Sequence, residues 1–139
     1  MGAWSHEPFG NDTAGDWVYE LEDAIGLDLL EETLDNALGE DEDDGYLEAP
    51  EAEEALAAVE VIVHMVGKGA DFEKLPEAVA TWIATCSEKP GPPLIQKALA
   101  ALARIDSEES ELRELWEESE DFEAWKTSLE ARVKALQSL

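Results

Sequence analysis

Four carboxylates recur at Asp28, Glu31, Glu32 and Asp35, a spacing of i, i+3, i+4 and i+7 that places them on one strip of a helix. The chemistry open to such a strip is electrostatic capture of a cation or a basic surface; its ordinary reading is a solvated helix face. Just beyond it, residues 40–45 read Glu-Asp-Glu-Asp-Asp-Gly, adjacent acids that repel one another and favour an extended surface loop. Asp41, Glu42, Asp43 and Asp44 of this loop join the strip as the candidate partner-binding surface. The loop also fits a calcium template in part. With Gly45 at template position 6, Glu40, Glu42 and Asp44 fall at positions 1, 3 and 5, Leu47 at the apolar position 8 and Glu51 at position 12. The fit is degenerate, because position 1 normally takes the shorter Asp, Glu42 is long for position 3, and Pro50 stiffens the exit where Glu51 must swing in. Solvation or non-specific cation condensation is the expected state of the loop, and no cofactor is expected. An enzyme would draw on His6 or His64 with Asp12, Asp16 or Glu20. No nucleophile, phosphate loop or metal spacing accompanies them, and a lone histidine on an apolar helix reads as a core or boundary residue.

The charge distribution says more than its total. Of 35 acids and nine bases, giving a net −26, residues 1–67 hold 20 acids and no Lys or Arg, while the remaining 72 residues hold 15 acids and all nine bases, so the two parts carry −20 and −6. Like charges at i, i+4 on a helix cost about 0.2–0.5 kcal/mol per pair unless a base offsets them, and the first part contains none to do so. An anionic membrane and bare nucleic acid are poor partners for this surface, because both require positive charge. A basic protein is the expected one: a nuclease, a toxin or a DNA-binding protein. Immunity proteins and DNA mimics work by this physics, carboxylates standing in for phosphates while the long-range field speeds encounter. Adaptation to high salt is the alternative, but it should make a chain acidic throughout, whereas here the acidity is concentrated in one part.

The elements that position these groups are all helical. No period-two alternation of β-branched residues marks a strand, and the expected fold is all-α, a compact single-domain bundle of six or seven helices spanning 1–139. Ala14, Trp17, Val18, Leu21 and Ile25 share one face of a first helix. Leu27, Leu30, Leu34 and Leu38 stripe a second, ending near Gly39. Pro50 or Glu51 opens a third, apolar nearly all round from Leu56 to Val66, the pattern of a helix buried at the centre of a bundle. Pro76 starts a fourth, with Val79, Trp82, Ile83 and Cys86 on one face, and residues 87–93 form a Pro/Gly connector to a fifth. Ser107 is the expected cap of a sixth, and Phe122, Trp125, Leu129, Val133 and Leu136 stripe a seventh. The acidic loop is placed at 40–50. A single cysteine, Cys86, makes no internal disulfide, no basic-then-apolar leader opens the chain, and no apolar run is long enough to cross a bilayer, so the cytoplasm is the expected compartment.

Residues 1–11 read as an extended arm in which Trp4 and Phe9 flank Pro8, and Asn11 or Asp12 is placed to cap the helix that carries Trp17. Two rings outside a helix are expected to plug the core. The pattern Gly-x-Trp-x-x-x-Pro-Phe-x-Asn-Asp-x-Ala-x-Asp-Trp, filled by Gly2, Trp4, Pro8, Phe9, Asn11, Asp12, Ala14, Asp16 and Trp17, resembles the opening of a bacterial family known only as a domain of unknown function. Tyr46-Leu47-Glu48 and Ser110-Glu111-Leu112-Arg113-Glu114-Leu115-Trp116 are similar to that family's later phrases. The resemblance implies a self-contained domain and brings no activity or catalytic residue with it.

Overall fold

The computed structural model describes residues 12–38, 47–68 and 75–138. These form seven helices: α1 (Asp12–Glu22), α2 (Asp28–Leu38), α3 (Ala49–Met65), α4 (Glu77–Thr85), α5 (Pro92–Ile105), α6 (Glu111–Glu117) and α7 (Phe122–Gln137). Together they make a compact all-α fold, with no strand among the described residues.

The axis of the bundle is α3, which packs against each of the other six helices. Its sequence explains this. Ala52, Ala55, Ala57 and Ala58 let neighbouring helices approach closely, while Val59, Val61, Ile62 and Val63 fill the space between them, all of them buried. Helix α2 lies against α3 and α5, α1 spans α3 and α4, and α7 closes the far side against α3, α5 and α6. Pro50 falls in the first turn of α3, where a missing N–H costs nothing.

The start of α3 is tied to a distant loop. Leu47 donates its N–H to Glu109 O at 2.7 Å and accepts from Glu111 N at 2.8 Å, an isolated parallel bridge with Ser110. Glu111 Oε1 then accepts from Ala49 N at 2.8 Å, satisfying a free donor of the first turn of α3 from a residue 62 positions away. The side chain of Glu48 makes no such bond. A carboxylate at this end also meets the positive pole of the helix dipole.

At the other end of α3, Glu60 is buried and paired with Arg132 of α7, Nε to Oε1 at 2.9 Å and Nη2 to Oε2 at 3.0 Å. Arg132 Nη1 also donates to Ser128 Oγ at 2.8 Å, and His64 Nε2 stands 3.5 Å from Glu60 Oε2. His64 is thus a half-buried boundary residue whose Nε2 lies near Glu60 but makes no hydrogen bond.

Several expectations shift. Helix α1 ends at Glu22, so Ile25 leaves the apolar face carrying Ala14, Trp17 and Leu21 and is instead 90% exposed. The sixth helix is capped by Ser110, whose Oγ accepts from Arg113 N at 3.3 Å; Ser107 donates to Arg104 O and accepts from Glu109 N within the preceding turn. Ser107 loses the competition because its hydroxyl closes the end of α5. Cys86 sits just past the end of α4, half-buried and packed against the core with Ile83, its Sγ 3.6 Å from Glu88 O. The connector shortens to 86–91, since Pro92 and Pro93 form the first turn of α5. Trp4, Pro8, Phe9 and Asn11 lie outside the described residues, as does the side chain of Asp12, so the expectation that the arm plugs the core falls on that segment.

Candidate functional site

Where α1 gives way to α2 the chain makes a turn marked by a positive-φ glycine and a hydrogen bond from α4. Gly26 has φ +72°, a conformation L side chains rarely adopt, and a Cβ there would collide with the Glu88 carboxylate. The carbonyl of Ala24 accepts from the indole Nε1 of Trp82 at 3.1 Å. Ile25 lies between these two residues with its side chain in water.

Beside it runs a shallow groove of about 380 Å³ lined by Glu20 of α1, Asp23 just past its end, Asp28 and Glu32 from α2, and the apolar residues Ala24, Ile25 and Leu29. Four carboxylates converge here, and no base is among the lining residues. Burial and mutual proximity also act on a carboxyl nearby. Glu54 of α3, half-buried, is pushed above the ordinary glutamate range first by desolvation and then by Glu20, Glu51 and Glu53.

The four-residue strip expected on α2 therefore divides. Asp28 and Glu32 face the groove. Glu31 and Asp35 turn toward α5, where Lys97 Nζ lies 2.9 Å from Asp35 Oδ1 and 3.4 Å from Glu31 Oε1. The hydrogen bond to Asp35 leads the causes that hold Lys97 above its ordinary pKa, with Glu31 adding to it. This corrects the expectation of an uncompensated, fully exposed strip: Asp35 is half-buried, and a base 62 positions away offsets the pair. Sequence separation hid that contact, because α2 and α5 meet only through the tertiary fold. The partners that replace them, Glu20 and Asp23, lay on a helix read for its apolar face. The signal for Ile25 was the glycine following it, which stops the helix short of the isoleucine.

Of the remaining candidates, Glu40, Asp41, Glu42, Asp43 and Asp44 lie outside the described residues. Glu51 occupies the first turn of α3, half-buried, with Oε2 buried and without a hydrogen-bond partner. Among the described residues no group of three or more His, Cys, Asp or Glu is arranged to hold a metal ion. His64 is not among the residues lining the groove that holds Glu20, and Asp16 is exposed on α1. No described helix is long and apolar enough to cross a membrane.

Residues 2–128 match the model of a family described as domain of unknown function (DUF4259). No curated protein and no solved structure matches the chain.

Proposed function

We propose that this chain, which belongs to the family described as domain of unknown function (DUF4259), is a non-enzymatic, cytoplasmic protein-binding module whose acidic α1–α2 face docks on a basic protein, in the manner of an immunity-type or DNA-mimic inhibitor. The observation that carries the reading is the juxtaposition of Glu20, Asp23, Asp28 and Glu32 with an isoleucine 90% exposed on the α1–α2 turn. Carboxylates steer a positive partner and set its register, and an exposed apolar side chain beside them supplies contact area once water is excluded. Ile25, 90% exposed, adds little to the core, and the four acids repel one another.

The test is capture from an extract of the source organism at about 50 mM salt, comparing wild type with Asp28→Asn/Glu32→Gln and with Ile25→Ser. A basic protein held by the wild type, weakened by each variant and released toward 200 mM salt as the Debye length falls to about 8 Å or less, is the expected result. Retention of the same prey by all three forms, or no prey at all while the chain is folded at low salt, would remove the assignment. A chain that folds only in concentrated salt would instead identify the acidity as adaptation to a saline host.

A further inference from the structure

A second groove opens on the other side of the same turn. It holds about 470 Å³ and is lined by Glu22 at the end of α1 and by Glu77, Ala78, Thr81, Trp82 and Thr85 along α4. The two grooves share a wall: Glu22 lines this one while its neighbours Asp23, Ala24 and Ile25 line the first, and Trp82, which lines this one, is hydrogen-bonded to Ala24.

The polar groups of this groove are mainly acceptors, Thr81, whose hydroxyl can donate or accept, being the exception. Glu22 and Glu77 present only acceptors when ionised. Thr85 gives its hydroxyl proton to Trp82 O at 3.0 Å, which leaves its oxygen as an acceptor. The indole N–H of Trp82 is already taken by Ala24. No Lys or Arg is among the lining residues. A site that presents acceptors around an apolar floor of Ala78 and Trp82 selects a ligand rich in donors and mounted on an apolar stem. Ammonium is compact and satisfies acceptors close to one point, whereas guanidinium is a flat fork with five N–H groups that reaches acceptors set apart on two helices.

We propose that this groove receives one arginine side chain of the basic partner, the methylene stem lying along Ala78 and Trp82 and the guanidinium spanning Glu22 and Glu77. The inference rests on the protein-binding reading above and specifies the anchor beside Ile25 that the partner must carry.

The test uses the full chain and three small probes: Nα-acetyl-arginine amide, Nα-acetyl-lysine amide and the neutral isostere Nα-acetyl-citrulline amide. The readout is the NMR signal of the Trp82 indole N–H, assigned by its loss in Trp82→Phe. The arginine compound should shift that signal saturably, the citrulline compound should not, and the lysine compound should bind several-fold more weakly. Glu22→Gln with Glu77→Gln, both at exposed positions, should weaken the arginine compound at least ten-fold while leaving the unliganded Trp82 signal in place. Asp28→Asn with Glu32→Gln should leave the titration unchanged, so failure here is separate from failure of the α1–α2 face. No saturable shift, equal shifts from arginine and lysine, or insensitivity to the double glutamine variant each overturns the proposal and reduces the groove to diffuse acidic surface.

Discussion

Arg132 grips Glu60 through two parallel hydrogen bonds of 2.9 and 3.0 Å across 72 positions of sequence, and both side chains are buried. This pair sits between the central helix and the last one, in a place where the apolar pattern alone would put two hydrophobes. A buried ion pair is weak as a net source of stability but costly to break, because removing one partner strands a desolvated charge. Arg132→Leu is therefore expected to lose about 3–5 kcal/mol in denaturant unfolding. Adding Glu60→Leu should recover much of that loss. Equal stability of Arg132→Leu and wild type would show the carboxylate to be hydrated in the native state.

Trp17 illustrates how far local pattern reaches. Its burial followed from its position on an apolar stripe, and it is 1% exposed. The partner of its indole N–H, Thr33 Oγ1 at 3.0 Å, lies on another helix and had no local signature. Trp17→Ala is expected to cost about 3–5 kcal/mol, and Thr33→Val, which keeps the shape but leaves the N–H unpaired, about 1–3 kcal/mol. Chemical denaturation of the two variants checks both, and a neutral Thr33→Val would mean that water replaces the hydroxyl.

The same division runs through the whole chain. Helix number, the central place of α3 and the boundary position of His64 were legible, because periodicity and an all-round apolar run report which surface a helix must bury. Glu60 with Arg132, Glu111 at the start of α3 and Lys97 between Glu31 and Asp35 were not, because each joins residues more than 60 positions apart. Termination was legible only to within a turn. Ile25 continued the stripe of α1 on paper, yet the chain leaves the helix after Glu22 to meet Gly26 and the Trp82 indole. Of the candidate binding surface, the carboxylates on α2 were visible as a strip, but which of them face water together depended on where α1 and α5 pack.

Glu54 supplies a pH dependence whose sign is fixed. Its pKa is raised in the folded chain by burial and then by Glu20, Glu51 and Glu53, so the native state binds that proton more readily than the unfolded state does. Stability contributed by this group is present at low pH and is lost as pH rises from the ordinary glutamate range, about 4.3, through the higher folded value. Glu54→Gln should accordingly be more stable than wild type at pH 7, by less than about 1 kcal/mol because the side chain is only half-buried. The gap should close as pH falls toward 4. Melting curves of the two proteins across pH 4–7 decide this, and a variant less stable than wild type at pH 7 would contradict it.

Calcium provides a separate check on the acidic loop. Glu51 lies in the first turn of α3, and Pro50 before it is fixed within the same turn, which restricts the swing that a bidentate position-12 ligand makes. Titration with micromolar calcium is expected to show no saturable site and no rise in melting temperature, and Asp44→Asn with Glu51→Gln should not alter that response. A defined stoichiometry abolished by the double variant would establish the degenerate loop as a real site.

The divided strip on α2 yields the sharpest contrast. Reversing charge on a uniformly exposed acidic face would relieve repulsion wherever it was done, but here the outcome depends on which pair is reversed. Glu31→Lys with Asp35→Lys removes both partners of Lys97 and sets two more ammonium groups beside it, so folding stability at low salt should fall. Asp28→Lys with Glu32→Lys places the new bases against Glu20 and Asp23 in the groove, so stability should hold or rise. Partner capture should respond in the opposite order. The first reversal, pointed at α5, should slow association modestly through the change in net charge; the second, at the proposed docking face, should slow it most. Thermal melts at about 20 mM and 500 mM salt, paired with association rates for whichever basic protein is captured, separate the cases, since added salt should shrink both stability differences. If the two reversals shift stability in the same direction and by similar amounts, Lys97 does not compensate Glu31 and Asp35 in solution, and the α2 surface is a single solvated strip.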